Sequence, residues 1–486
     1  MTASTCPVTA AVLDWARATP QRPAVVGVGG VRSYAWLAQE AERWRAAIAA
    51  HELAPRSAVA LVGDLDEHLA AAWLGIRRAG HVPGMVDVGA EPQWQADVLD
   101  SMRPALVAHT GESERVERHL GARAPATLPD GVGYLSFSSG SQGAPKVILG
   151  SASGLAAFLD WERGLLGLEP GAATAALTSP SFDVVLRDLF LPLTSGYAVH
   201  TADRSVRWSV GRVVPWLAET GAAAVHVVPS LSLRWASRAA RSLEHLQWTV
   251  FAGEPLYAKH AHAWRDVAPS SRMVNLYGPT ETTLAAFASV LSWPLADGLQ
   301  PVGHPLPGVE VHLEPVDGEP GAGRRILIDA VHGSFGYLPD ATGARSSRIL
   351  SRRDGLTSFR TQDSGYLTDQ GGLVVTGRLG SAVKRRGVFV DLTALEAGAM
   401  KADGVDAACC VATADSSMVV LFVEASDVTA RDILHALSAN GLHQLPDRVQ
   451  VMDHLPRLPA GKVDRHLLQQ EADEQTLAAP PGRMSA

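Results

Sequence analysis

Ser138, Ser139, Gly140, Ser141, Gly143 and Lys146 fall in one short run, YLSFSSGSQGAPK, from Tyr134 to Lys146. Glycine tolerates positive φ and lets backbone N–H groups approach an anion closely. Hydroxyls add donors, and lysine adds a point charge. These residue types together make a polyphosphate cradle. An ordinary serine-glycine turn between two strands explains the stretch equally well, so the rest of the chain must decide. A Walker A loop is excluded, because Lys146 follows Pro145 and precedes Val147 rather than Ser or Thr.

Four further stretches carry residues that could do chemistry. Ser181-Phe182-Asp183 stands before an apolar helical run, where Asp183 could cap the helix or pair with a buried cation. NLYGPTETT, from Asn275 to Thr283, places Tyr277 beside a Gly278-Pro279 turn, then Thr280 and Glu281. Glu281 alone reads as a helix first-turn acid. Asp363 lies in TQDSGY, ahead of Gly377-Arg378, and Lys462 lies in LPAGKVDR from Leu458 to Arg465. Taken singly, Tyr277 could be core packing and Lys462 a solvated turn lysine.

In this order the five stretches resemble the adenylate-forming superfamily. Within it they are most similar to the amino-acid-activating adenylation enzymes of nonribosomal peptide synthesis, over about Ala24 to Leu468. The resemblance implies ATP and Mg2+ as cosubstrate and cofactor, with an amino acid joined to AMP and pyrophosphate released. Ser138, Ser139, Gly140, Ser141, Gly143 and Lys146 would then hold the outer phosphates. Asn275, Tyr277 and Gly278 would line the adenine site, with Tyr277 stacked on the base. Asp363 would accept the ribose hydroxyls, and Arg378 would support ribose or phosphate. Thr280, Glu281 and Lys462 would be catalytic, with Glu281 also the metal ligand and Lys462 bridging carboxylate and α-phosphate. Asp183 would pair with the substrate ammonium. Val184, Arg187, Val227, Val250, Ala252, Gly253, Leu276, Leu284 and Ala285, together with Lys462, would line the substrate pocket. Arg187 apart, that pocket is apolar and favours a small or medium non-aromatic side chain. Arg187 could face a polar or acidic substrate or turn toward Asp188.

The resemblance also implies a C-terminal domain that rotates between adenylation and thioester formation. Lys384, Arg386 and Gly387 would form the turn that enters the site for thiolation. Relatives carry an acidic hinge residue where this chain has Gly380, and an arginine before Gly336-Tyr337 where it has Phe335. The stretch from Lys462 to Ala486 holds no serine attachment segment, so the expected acceptor is a separate phosphopantetheinylated carrier protein in a secondary-metabolite pathway. An acyl- or aryl-CoA ligase shares every phosphate motif and differs at Asp183. A non-catalytic adenylate-binding scaffold is the reading from another class.

The elements that must position these residues alternate. Ala24–Val28, Ser57–Val62, Leu106–Ala108, Ala172–Thr178, Val225–Val228, Trp248–Phe251 and Val274–Tyr277 read as short strands. Helical runs between them include 67–79 and 183–193, the latter amphipathic. Strands alternating with helices of ordinary length predict an α/β fold with mostly parallel, helix-covered sheets and ligands beyond the carboxyl ends of strands. From about 301 the strands shorten into a small β-rich section. The expected domains are 1–378 as the N-terminal adenylation core and 379–470 as a small mobile α+β C-terminal domain, followed by a disordered tail at 471–486.

The chain has 486 residues, 47% hydrophobic and 19% charged, which is enough for more than one large core. Its net charge of −8 argues against a nucleic-acid partner. Three cysteines, Cys6, Cys409 and Cys410, form no disulfide framework or zinc spacing. No apolar run reaches the ~20 residues that span a bilayer. A cytoplasmic enzyme without a membrane partner is therefore expected.

Overall fold

The structure is a computed structural model. It describes all residues except 1–5, 112–113, 122, 141–142, 208, 317–323, 340–348, 354–355, 386–387, 415–417, 441, 443, 459–460 and 478–486. Among the described residues two large sheets dominate. One has nine strands, in the order His304–Pro305, Phe287–Val290, Arg272–Tyr277, Trp248–Ala252, Ala224–Val227, Ala173–Ala176, Ala198–Thr201, Pro23–Gly27, Gly30–Ser33. Its inner six strands are parallel. The other has six, with Ala58–Gly63 and Val82–Asp87 at its centre and Val132–Gly140 paired to Gly143–Ser151 at one edge. Parallel strands covered on both faces need apolar residues throughout. Accordingly Ala58–Gly63 (AVALVG) is buried at every position.

The layer between the sheets is helical and forms the largest core. Helices Pro7–Ala18, Tyr34–Ala49, Glu67–Arg78, Ala152–Leu166 and Val184–Ser195 contribute to it, with residues from both sheets. The helix Val184–Ser195 is not amphipathic as expected, since every residue from Val185 to Ser195 is buried. A helix apolar all round belongs between two layers, not at a surface. Its charged residues, Arg187 and Asp188, are therefore buried too. The expected phosphate loop is largely a hairpin, because strand pairing runs to Gly140 and resumes at Gly143.

A five-stranded antiparallel sheet follows, running from Val309–Glu314 to Leu373–Arg378. Beyond it lie the hairpin Ala382–Arg385/Val388–Asp391 and a three-stranded sheet, Val405–Ala412, Val419–Ala425 and Arg448–Met452. The expected disordered tail is corrected in part. Arg465–Leu477 is a helix, and Leu468 and Ala472 are fully buried against the three-stranded sheet. Its other residues are strong helix formers, so one buried stripe suffices. Residues 478–486 lie outside the described residues.

The C-terminal part is docked through buried polar groups. Lys259 Nζ donates to the carbonyls of Met400 (2.6 Å) and Val405 (2.5 Å), and burial pulls its pKa down to about 8. The buried Glu424 accepts from Arg457 Nη2 (2.9 Å) and pairs with Arg234 Nε (2.9 Å). Arg457 Nη1 also donates to Ser230 Oγ (2.7 Å) and to the Gly461 carbonyl (2.9 Å). One arginine thus braces the turn before Lys462 against the helix Pro229–Ser237. Removing a charged donor leaves buried carbonyls unpaired, at about 1–3 kcal/mol. Lys259→Met should therefore raise the rate of limited proteolysis within 379–391 by about fivefold or more while the global melting curve stays cooperative; an unchanged rate would show that Lys259 does not hold the docked state.

Candidate active site

The expected site residues converge from both large sheets, the small sheet and the C-terminal part. Asp183 immediately precedes Val184–Ser195, but its side chain makes no capping bond and its backbone is itself helical (φ −57°, ψ −30°). Burial raises its pKa, while the Thr280 hydroxyl and then the charges of Lys462 and Arg187 pull it back. The capping role is thus excluded, and a half-buried carboxylate faces a cation. Tyr134, buried at the base of the six-stranded sheet's edge hairpin, lies within the field of Asp183 and beside the Thr283 hydroxyl, and burial raises its pKa.

Lys462 is exposed in a turn closed by the bond from Leu458 N–H to its carbonyl (2.8 Å). Gly253 shows why the position opposite it has no side chain. It has φ +94°, and a Cβ there would lie 3.0 Å from Lys462 Cε. The lysine stem therefore runs across the end of Trp248–Ala252 and brings its charge near Asp183.

The segment after Arg272–Tyr277 is strained. Thr283 and Leu284 both have positive φ (68° and 64°), which for non-glycine residues costs on the order of 1–3 kcal/mol each. The bend is held by Thr283 Oγ1 donating to the His332 carbonyl (2.8 Å) and by Ala286 N–H donating to the Tyr277 carbonyl (2.8 Å). It folds the chain back over Gly278, where a Cβ would sit 2.6 Å from Ala285 Cα. Thr280, Glu281 and Leu284 are thereby presented to one cleft. Glu281 is buried, and Oε1 accepts from the Tyr337 hydroxyl. That hydroxyl orients a hard carboxylate of the kind that suits Mg2+, so the donor chemistry fits this metal. Lys146 Nζ lies 6.0 Å from the Tyr337 ring centre, so the same tyrosine connects the edge hairpin with Glu281.

At the other end, Tyr277 donates its hydroxyl to Asp363 Oδ2 (2.7 Å), and its ring packs on Phe287 with centres 6.0 Å apart. Asp363 pairs across the strands with Arg378 at 3.5 Å, and Arg378 is largely exposed. Asn275 is placed differently from the other expected adenine-site residues. It is buried and spends its amide on the Pro301 carbonyl (2.9 Å). Backbone pairing places Ser138 opposite Lys146 and Gly140 opposite Gly143. Ser141, Arg386 and Gly387 lie outside the described residues, as do the side chains of Ser139 and Lys384.

One expected pocket residue is corrected by register. Parallel pairing puts His226, Val250 and Val274 on one face, and Val227, Phe251 and Asn275 on the other. Val250, Ala252, Leu276 and Leu284 belong to the inter-sheet layer with Val184, whereas Val227 packs into the core on the far side. His226 takes the place expected of Val227. Its Nε2 lies 2.8 Å from Glu162 Oε1 and its Nδ1 3.1 Å from Asp188 Oδ1, all three residues being buried. Net of burial, those two carboxylates raise the His226 pKa. The sequence signal for this group was a histidine inside an otherwise apolar strand, AVHV.

Comparison with known proteins identifies the family. The model of the family described as AMP-binding enzyme matches residues 12–325. The chain belongs to the AMP-binding enzyme family. Among relatives, this AMP-binding enzyme is 25% identical over 499 residues to the D-alanine--D-alanyl carrier protein ligase of Bacillus licheniformis, covering 95% of the chain and 98% of that protein. It is 26% identical over 476 residues to the nonribosomal peptide synthetase ataP of Aspergillus terreus, covering 92% of the chain but 30% of that protein. The chain thus spans less than half the length of several synthetases it matches. The crystal structure of IdnL7 shares the fold with a TM-score of 0.80 at 20% identity, covering 97% of this chain and all of that one. No described helix is long and apolar enough to cross a membrane.

A carboxyl pKa raised by folding means that the folded state binds protons more readily than the unfolded one. Stability is then lost as pH rises from the ordinary aspartate value through the raised one. Ionised Asp183 therefore costs stability at neutral pH. Asp183→Asn, which keeps an acceptor for Thr280, should raise the melting temperature at pH 7 by about 1–2 °C and lose that advantage below pH 4. A lower melting temperature at pH 7 would mean that the carboxylate is stabilising.

Proposed function

We propose that this enzyme activates an amino acid as its aminoacyl-AMP and passes it to the phosphopantetheine thiol of a separate carrier protein. The observation that carries this reading is the uncapped Asp183 carboxylate beside Lys462 in the cleft. A substrate ammonium would satisfy it, and an acid without an amino group would leave it unpaired at several kcal/mol. The relationship to a D-alanyl carrier protein ligase that this chain matches end to end supports a carrier as acceptor.

In the first half-reaction, a substrate carboxylate oxygen attacks the α-phosphorus of ATP. The bond to the bridging oxygen breaks, and pyrophosphate leaves with the electron pair. Asp183 holds the ammonium and Lys462 offsets charge where carboxylate and α-phosphate meet. Thr280, bonded to Asp183, presents its hydroxyl to the same region. Asp363, fixed by Tyr277 and Arg378, accepts from the ribose. Ser138, Ser139, Gly140, Ser141, Gly143 and Lys146 hold the leaving phosphates. Glu281, oriented by Tyr337, would ligate Mg2+, which supplies charge neutralisation on the phosphate oxygens.

In the second half-reaction, the carrier thiolate attacks the acyl carbon and AMP leaves. The domain boundary at 378–379, with Gly380 as the hinge and Lys384, Arg386 and Gly387 as the entering turn, belongs to this same reading. Glycine at 380 has φ +75°, which suits a residue that changes backbone conformation.

Exchange of labelled pyrophosphate into ATP, run over the proteinogenic amino acids and a set of plain aliphatic and aromatic acids, tests the reading. An amino acid should drive exchange, and Lys462→Ala should lower it by about 100-fold or more with an unchanged circular dichroism spectrum. Exchange driven only by acids lacking an amino group would assign the protein to the acyl- or aryl-CoA ligases instead.

A further inference from the structure

Arg187 lies one helical turn beyond Asp183 on the same face of Val184–Ser195. Its side chain is 3% exposed, and both Nε and Nη1 are buried without a hydrogen-bond partner. Asp188 forms an ion pair with it but accepts no hydrogen bond from it. The closest approach, from Nε to Asp188 Oδ1, is 3.6 Å, and Oδ2 already accepts from Thr178 (2.6 Å). Buried guanidinium N–H groups are rarely left unpaired, because each costs about 1–3 kcal/mol. A group that remains so beside a substrate-binding carboxylate is poised for the substrate itself.

The charges around it decide what that substrate carries. His226 presents both ring nitrogens to carboxylates, Nε2 to Glu162 and Nδ1 to Asp188. The two carboxylates, at 2.8 and 3.1 Å, favour the protonated ring over burial and the Arg187 charge, so the ring is taken as a cation. Arg187 and His226 supply two positive charges and Glu162 and Asp188 two negative ones. Asp183 is matched separately by the substrate ammonium. A substrate carboxylate at Arg187 would add an uncompensated charge to this buried group. An aliphatic side chain would leave the N–H groups unpaired.

We propose that Arg187 is the specificity residue of this enzyme and donates to an uncharged oxygen, a carboxamide or hydroxyl, on the side chain of the amino acid bound by Asp183. This rests on the amino-acid-activating reading and narrows its substrate class. The apolar walls Val184, Val250, Leu276 and Leu284 then enclose the side chain, and Arg187 supplies the polar contact. It narrows the small or medium non-aromatic side chain that the pocket residues imply when read as sequence.

The test uses pyrophosphate exchange by the full chain with matched pairs: asparagine against leucine, threonine against valine, and each amide against its acid. The oxygen-bearing neutral member of the preferred size should exceed its aliphatic and acidic counterparts by about 10- to 100-fold in kcat/KM. Arg187→Met should erase or reverse the preference over the aliphatic member. Because that change alone unbalances the cluster, the double variant R187M/E162Q, which removes one charge of each sign, serves as a second test with its fold checked by thermal melting. Preference for an aliphatic or acidic amino acid, or an unaltered ratio in both variants, overturns the assignment of Arg187 while leaving amino acid activation standing. Exchange with des-amino acids alone would instead remove the reading on which it rests.

Discussion

A carboxylate at the start of a helix ordinarily spends itself on the helix. Asp183 does not, because the residues around it are already in helical geometry and its side chain turns into the cleft. Burial then makes its charge costly, and the structure around it reads as a set of responses to that cost. The Thr280 hydroxyl and the charges of Lys462 and Arg187 offset part of it. None of these removes the need for a close cation. Stability is given up locally for a site that is completed by substrate.

The cleft is assembled by constraints that act at a distance from it. Lys462 reaches Gly253 only while the turn that carries it is docked. Docking runs through Arg457, which ties Glu424, Ser230 and the Gly461 carbonyl together. The consecutive left-handed residues Thr283 and Leu284 turn the chain so that catalytic and pocket residues come from one strand end. Tyr337 stands between Lys146 and Glu281, so the hairpin of Val132–Gly140 and Gly143–Ser151 and the carboxylate suited to a metal share one support. The position where relatives carry an arginine holds Phe335, and its ring lies close to Gly131 at the base of that hairpin.

Much of this was legible in the sequence. The alternation of short apolar runs and helices gave the layered α/β architecture, and Tyr277, Glu281, Asp363 and Lys462 marked the cleft by residue type and order. What was not legible depended on register and burial. A one-residue difference in strand phase exchanges the faces of a strand, so Val227 was expected where His226 stands. The helix after Asp183 reads as amphipathic because Arg187 and Asp188 are charged, yet its position between two sheets buries both. The charged group of Glu162, Arg187, Asp188 and His226 draws on three separate elements, and no spacing in the chain announces it. The helix at Arg465–Leu477 was hidden by a polar composition in which, among the described residues, Leu468 and Ala472 are the fully buried ones.

The central claim is that Asp183 exists to bind a substrate ammonium, and one comparison addresses it directly. Pyrophosphate exchange should be measured with the best amino acid and with the same acid lacking only its α-amino group, for the wild type and for Asp183→Asn. The account predicts that the wild type prefers the amino acid by at least about 100-fold and that the variant loses most of that preference while still binding ATP. Equal use of the two acids by the wild type, or an unchanged preference in the variant, would contradict it.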